Sequence, residues 1–215
     1  MKLLRIFGFL LVLSLDTRAA GPPGEQPRAA NAIGPVDAPV VIEFFSDLQC
    51  PQCARYEPMV KSVRAEFGDK TRMVIRHFPL PGHQHAVLAA CAAEAAANQH
   101  KFWEMVEALY KTQWMWGTAP APLAVFMDQA KSIGLDVDKF QRDLDDDSLR
   151  ARIGLDEEHA RAVKVKTAPS IVINGINLPN SEFNENGIRA AIKAAIDKAA
   201  AATPAPTSAP VEDED

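Results

Sequence analysis

Cys50 and Cys53 stand three apart in the stretch FFSDLQCPQCARYEP, residues 44–58, with Pro51 and Gln52 between them. Two thiols at that spacing can close into a disulfide and open again, taking electrons from other thiols or returning them. The chemistry needs asymmetry: one sulfur must be anionic and reactive near neutral pH, and the other must wait within reach. A helix that begins at the first cysteine supplies this. Its first backbone N–H groups have no internal partner, and the peptide dipoles gather positive charge there. A thiolate at that point is stabilised, and its pKa falls from about 8.5 to between roughly 3.5 and 7.5. Pro51 suits the first helical turn, where a missing N–H costs nothing. Cys50 is therefore expected at the tip, exposed and nucleophilic, with Cys53 one turn deeper and more buried. A substrate thiolate attacks Cys50 of the oxidised pair, and a second substrate thiol releases the oxidised product. In the reverse direction Cys53 resolves the mixed disulfide.

The elements around the pair follow from hydrophobic periodicity. PVVIEFF (39–45) is a buried strand by its β-branched and aromatic run. A helix follows the cysteines, with Tyr56, Met59, Val60, Val63 and Phe67 on one face and Gly68 as its stop. TRMVIRHF (71–78) is a second strand, so the unit is βαβ with parallel strands. Helical patterns occupy 85–99, 101–110 and 122–133, then a short helix capped by Asp136, then a helix from about Ser148 to Val163. SIVINGINL (170–178) reads as two strands around Asn174-Gly175, a dipeptide that suits a type I′ turn. Ile188, Ala191, Ile192, Ala195, Ile196 and Ala199 mark a closing amphipathic helix. The fold class is α/β: a βαβ unit, a helical insertion over about 84–164, a β-hairpin and a helix.

The chain has 215 residues and a formal charge of −5, with four of the negative charges in the terminal VEDED. Its body is close to neutral and lacks the basic footprint of a nucleic-acid binder. Lys2, Arg5, the apolar run 6–15 and the small residues TRAA (17–20) read as an export signal, cleaved after Ala19; an uncleaved anchor is the alternative. Residues 20–30 read as a flexible leader and 202–215 as a disordered acidic tail. Export implies a periplasmic or otherwise secreted protein, where thiols tend to pair.

Three other features carry weaker signals. Cys91 shares a helix face with Val87 and Leu88 and reads as a small buried hydrophobe, with a second redox role or an interchain disulfide as alternatives. His83 and His85 in PGHQH read as a cap and a surface residue, because no set of four ligands completes a zinc site around them. QWMWG (113–117) reads as core packing between insertion and sheet, with an exposed patch for unfolded substrate as the alternative.

Taken together, EFFSDLQCPQC, the insertion stretch HFPLPGHQHAVLAACAAEAAANQHKFWEMVEALY and VKTAPSIVING resemble the DsbA-like branch of the thioredoxin superfamily over about residues 33–200. The resemblance implies a thioredoxin-like fold and an exported protein thiol-disulfide oxidoreductase acting on cysteine-containing polypeptides; it leaves the direction of electron flow open, and the expected lowering of the Cys50 pKa makes an oxidant the first reading. It implies no organic cofactor or metal, a monomer, and a redox partner that resets the dithiol, often a quinone-linked membrane protein. It also makes Pro169 a cis-proline beside the dithiol, with Thr167 and Ala168 offering backbone groups to an extended substrate strand. Related proteins carry a buried acid six residues before the first cysteine. Glu43 lies seven before, so a proton-relay role requires one extra residue in the loop SDLQ. Gln52 replaces the His of the strongest oxidants and implies a milder one. A reductase or isomerase is the alternative within this chemistry. A metal-carrying binding module that uses Cys50 and Cys53 as ligands is the alternative outside it.

Overall fold

Strand, helix and strand form where the apolar pattern places them in a computed structural model that describes residues 31–202. The proposed signal, the leader and residues 203–215 of the tail lie outside the described residues. The elements run β1 (Ala32–Ile33), β2 (Val40–Ser46), α1 (Pro51–Ala65), β3 (Thr71–His77), α2 (Ala86–Ala97), α3 (Phe102–Lys111), α4 (Gln113–Trp116), α5 (Leu123–Ser132), α6 (Val137–Leu144), α7 (Asp147–Ala162), β4 (Ser170–Ile173), β5 (Ile176–Asn177) and α8 (Glu185–Ala202). The sheet order is β1-β3-β2-β4-β5. Only β2 and β3 are parallel, as the βαβ unit requires, while β1, β4 and β5 pair antiparallel with their neighbours. The two-residue strand β1 and the single-turn helix α4 are too short to leave a periodic signature, so the sequence did not announce them.

The pleat divides β2 between two faces. Ile42 and Phe44 join Val60 and Val63 of α1 and Ile188 and Ile192 of α8 in the main core. Phe45 turns the other way and packs with Ala160, Val165 and Val172 beneath α7. The insertion continues the main core: α2 is alanine-rich and nearly all buried, and such small side chains let α3, α6 and α7 approach it closely. Cys91 lies fully buried in that helix as one more small apolar side chain.

Turn chemistry matches the pattern. Asn174 and Gly175 both hold positive φ, at 46° and 79°, as a type I′ hairpin turn demands. Asp136 caps α6 by accepting from the backbone N–H of Lys139 at 2.9 Å. The Trp pair splits. Trp116 is sealed in the core, stacks edge-on against Phe126 and donates its Nε1–H to the Leu109 carbonyl at 2.9 Å. Trp114 is 81% exposed.

Candidate active site

Cys50 is the N-cap of α1, Pro51 is its first residue, and Cys53 lies one turn inside. The pair is in the dithiol form. Cys53 is fully buried, and Cys50 is shielded more than expected, with 7% of its surface exposed. Phe78, Leu80 and Tyr110 shield the cluster that the two cysteines form with Ala168. The loop before α1 is tied to the insertion. Gln49 donates to the Gly117 carbonyl at 2.7 Å and accepts from the backbone N–H of His85 at 2.8 Å. Gln113 donates to the Leu48 carbonyl at 2.8 Å. The helix tip is therefore held from both sides, which positions the reactive sulfur without a covalent tether.

The two thiols are strongly unequal. The Cys50 pKa falls from an ordinary 9.0 to about 6. The hydrogen bond from the Cys53 thiol is the main cause. Burial opposes it, and the backbone N–H groups of Cys53 and Gln52 at the helix start add to it. Asp47 opposes the shift through its negative charge. Cys53 moves the other way because it donates to Cys50 and is desolvated, so it keeps its proton. Gln52 is exposed and contributes its backbone rather than its side chain.

The Ala168–Pro169 peptide is cis. It brings Ala168 into contact with the cysteine cluster, where the sequence reading expected it. Thr167 sits exposed at the start of this loop, and its carbonyl accepts from the Ser170 hydroxyl at 2.7 Å.

Glu43 is bonded to Arg76 and His159 rather than to a cysteine. β2 pairs with β3 without a break from Val40 to Ser46, so the pleat holds Glu43 on one face with Phe45, and an extra residue can only lie in the loop beyond the strand. Glu43 shares the face of Phe45, opposite α1. Its carboxylate accepts from Arg76 and pairs with His159 of α7, both at 2.8 Å. Burial pushes its carboxyl up, but His159 and Arg76 together outweigh this and hold it below the usual range. Glu43 is thus a buried ion-pair residue. Arg76 also bonds Asp156 at 3.1 Å, which extends the pairing along α7.

Other side chains occupy the place beside Cys53. The backbone N–H of Asp47 points at its sulfur at 3.4 Å, and the nearby Ser46 hydroxyl acts in the same sense to favour its charged form. The Asp47 carboxylate accepts from the backbone N–H groups of Gln49 and Leu80 and pairs with His83 at 2.7 Å. His83 therefore braces the active-site loop, and His85 bonds the Ala119 carbonyl at 2.7 Å. Among the described residues, no group of three or more His, Cys, Asp and Glu is arranged to hold a metal ion. Glu57, four residues after Cys53, lies buried on the same face of α1.

The thioredoxin family's sequence profile matches residues 28–198. The probable disulfide bond formation protein D of Bacillus cereus is 31% identical over 177 residues, covering 78% of this chain and 77% of that protein. The Na(+)/H(+) antiporter NhaA 1 of Mycolicibacterium vanbaalenii is 36% identical over 154 residues, covering 70% of this chain but 24% of the antiporter. The chain thus spans about a quarter of the length of such antiporters, and among the described residues no helix is long and apolar enough to cross a membrane. A thioredoxin-like oxidoreductase from Silicibacter pomeroyi superposes with a TM-score of 0.66 at 25% identity, over 86% of this chain and all of that one. With the dithiol at a helix tip, the cis-proline loop beside it and helices packed over it, the chain belongs to the thioredoxin family, with a disulfide bond formation protein among its relatives.

Proposed function

We propose that this protein exchanges the Cys50–Cys53 disulfide with cysteines of substrate polypeptides, most readily as an oxidant, in an exported compartment. The inequality of the two thiols carries the reading. An anionic Cys50 is the better leaving group when a mixed disulfide breaks, and a stabilised thiolate favours the reduced dithiol. A disulfide whose reduced form is favoured is an oxidant. The neutral Gln52 adds no charge to that stabilisation, which fits a moderate potential.

A groove of ≈ 740 Å³ beside Pro51 suits a polypeptide substrate, with Gln49, His85, Trp114 and Pro120 among its walls. The exposed Trp114 offers an apolar face next to the dithiol, and the Ala168 backbone offers strand-type hydrogen bonds on its other side. A separate redox protein then reoxidises the pair.

Equilibrating the protein with glutathione redox buffers tests direction and chemistry together. An oxidant gives a Cys50–Cys53 couple more oxidising than thioredoxin's, which lies near about −270 mV. A couple at or below that value removes the oxidant reading in favour of a reductase. Failure to exchange at all, with metal retained after purification, favours the metal-carrier alternative.

A further inference from the structure

We propose that His83 is a catalytic residue of the exchange: its Nε2 takes the proton of the incoming substrate thiol and, as imidazolium, holds the resulting thiolate beside Cys50. The proposal rests on the thiol-disulfide exchange put forward above and assigns the substrate's side of it. An ordinary cysteine has a pKa of about 8.5, so only a few per cent of it is thiolate at neutral pH, and the thiolate is the attacking form. Its approach is also opposed, because the Asp47 carboxylate lies close enough to Cys50 to act on it as a negative charge. A proton acceptor that turns cationic on top of Asp47 meets both needs.

The turn Leu80-Pro81-Gly82-His83 builds this arrangement. Pro81 second and Gly82 third, the glycine at φ 90°, are the residues that suit a type II turn. The His83 N–H closes the turn on the Leu80 carbonyl at 3.1 Å. This lays His83 against Asp47, which is 2% exposed and accepts from the backbone N–H groups of Gln49 and Leu80 at 2.7 and 2.8 Å. Asp47 Oδ2 lies 2.7 Å from His83 Nδ1. A carboxylate that accepts from two backbone donors is the acceptor here too, so Nδ1 carries the proton and Nε2 keeps the lone pair.

The far edge of the ring faces the substrate. The Asp47 side chain is sealed while 30% of the His83 side chain is exposed. His83 lines the ≈ 740 Å³ groove together with Pro51, the residue after Cys50. Among the described residues Nε2 has no hydrogen-bond partner. His85, on the same wall, is already committed, since its Nε2 bonds the Ala119 carbonyl at 2.7 Å. The rest of the groove wall, with Gln49, Gln84, Gln113 and Trp114, carries no charge. Asp47, in the loop before α1, is therefore the charged group against the ring, and Cys50, at the tip of α1, is the titratable one beside the groove.

The steps balance. The first substrate thiol gives its proton to His83 Nε2, and its sulfur attacks Cys50 Sγ. The Cys50–Cys53 bond breaks, its electron pair goes to Cys53 Sγ, and Cys53 takes up a proton. His83 returns its own proton to water in the groove. The second substrate thiol gives its proton to Nε2 in the same way and attacks the first substrate sulfur. The mixed disulfide breaks, and its electron pair leaves on Cys50 Sγ as a thiolate. The substrate has lost two electrons and two protons. The cysteine pair holds both electrons, Cys53 holds the equivalent of one proton, and the other is in solvent.

The test is the single-turnover opening of the oxidised full-length protein by a fixed total concentration of glutathione, from about pH 5 to 9. Attack without a base follows the glutathione thiolate and rises about tenfold per pH unit below the thiol pKa. The wild-type rate should rise less steeply than this between about pH 6 and 8. His83→Gln should restore the steep rise and lower the rate at about pH 6, relative to that at about pH 9, by about tenfold or more. Imidazole added to His83→Ala should recover the acid-side rate and leave the wild-type rate unchanged. An equal drop at every pH, or an alanine variant that responds to imidazole no more than wild type, is what a loop brace gives and overturns the proposal while the exchange reading stands. If neither variant folds, the wild-type profile decides, and a tenfold rise per pH unit throughout the acid range is the overturning result. A wild-type protein that glutathione opens at no pH sinks the exchange reading and this assignment with it.

Discussion

Replacing Cys53 by Ala isolates the largest contribution to the low Cys50 pKa. In the dithiol form the Cys53 thiol donates to the Cys50 thiolate, and this bond outranks the backbone N–H groups of Cys53 and Gln52. A hydrogen bond to a charged group is worth about 1.5–3 kcal/mol, and about 1.4 kcal/mol corresponds to one pKa unit. Cys53→Ala should therefore raise the Cys50 pKa from about 6 by roughly 1 to 2. At neutral pH the thiolate fraction falls from about nine-tenths to between about one-tenth and one-half. The assay is the pH profile of Cys50 alkylation, read as a midpoint. The plateau rate is less diagnostic, because a more basic thiolate is also more nucleophilic and rises by about 3- to 8-fold over the same change. The backbone donors remain in the variant, so the midpoint must stay below 9.0. A midpoint still at about 6 refutes Cys53 as the main donor, and a midpoint at 9.0 refutes a net lowering by the helix tip over the opposing burial and Asp47 charge.

Three further outcomes follow from the same geometry. The reduced protein gains stability as pH rises from about 6 towards 9.0, because the folded Cys50 pKa lies below its unfolded value, and loses it as pH falls through about 6; urea unfolding at about pH 7.5 and 5.5 should differ by about 2 kcal/mol more than in Cys50→Ser. Glu43→Gln should leave the Cys50 midpoint unchanged and cost about 3 kcal/mol in urea unfolding, since it weakens the pairing of a buried Arg76; a moved midpoint would restore Glu43 to the relay. Trp114→Ala should change stability by less than about 0.5 kcal/mol and leave glutathione exchange intact, yet raise KM for an unfolded thiol protein by about 5- to 30-fold. Equal kinetics with both substrates would remove the groove from substrate binding.

Much of the site was legible because its chemistry is local. A cysteine pair at a helix start, with Pro51 in the first turn, specifies a lowered first thiol and a more buried second one before any tertiary contact is known. The hairpin at Asn174-Gly175 and the cap at Asp136 were equally local. What escaped depended on register and on neighbours distant in sequence. Glu43 could be assigned to a face only by knowing that β2 pairs with β3 without a bulge. Glu57 reads as one of several charged residues on α1, and only α3, some fifty residues later, buries it beside Tyr110. The shielding of Cys50 likewise comes from Phe78, Leu80 and Tyr110, which converge only in the folded chain. The two Trp residues of QWMWG show the limit of periodicity: one turn of helix sends Trp116 inward and Trp114 outward.

The exchange chemistry depends on one sulfur being anionic near neutral pH while its neighbour is not. Titrating the reduced wild-type protein by thiolate absorbance, with Cys91→Ala to remove the third cysteine, measures this directly. The account predicts a single sulfur ionising with a midpoint at about 6 and no second ionisation up to the pH at which the protein unfolds. Two sulfurs titrating together near 9.0, or none ionising until unfolding, would contradict it.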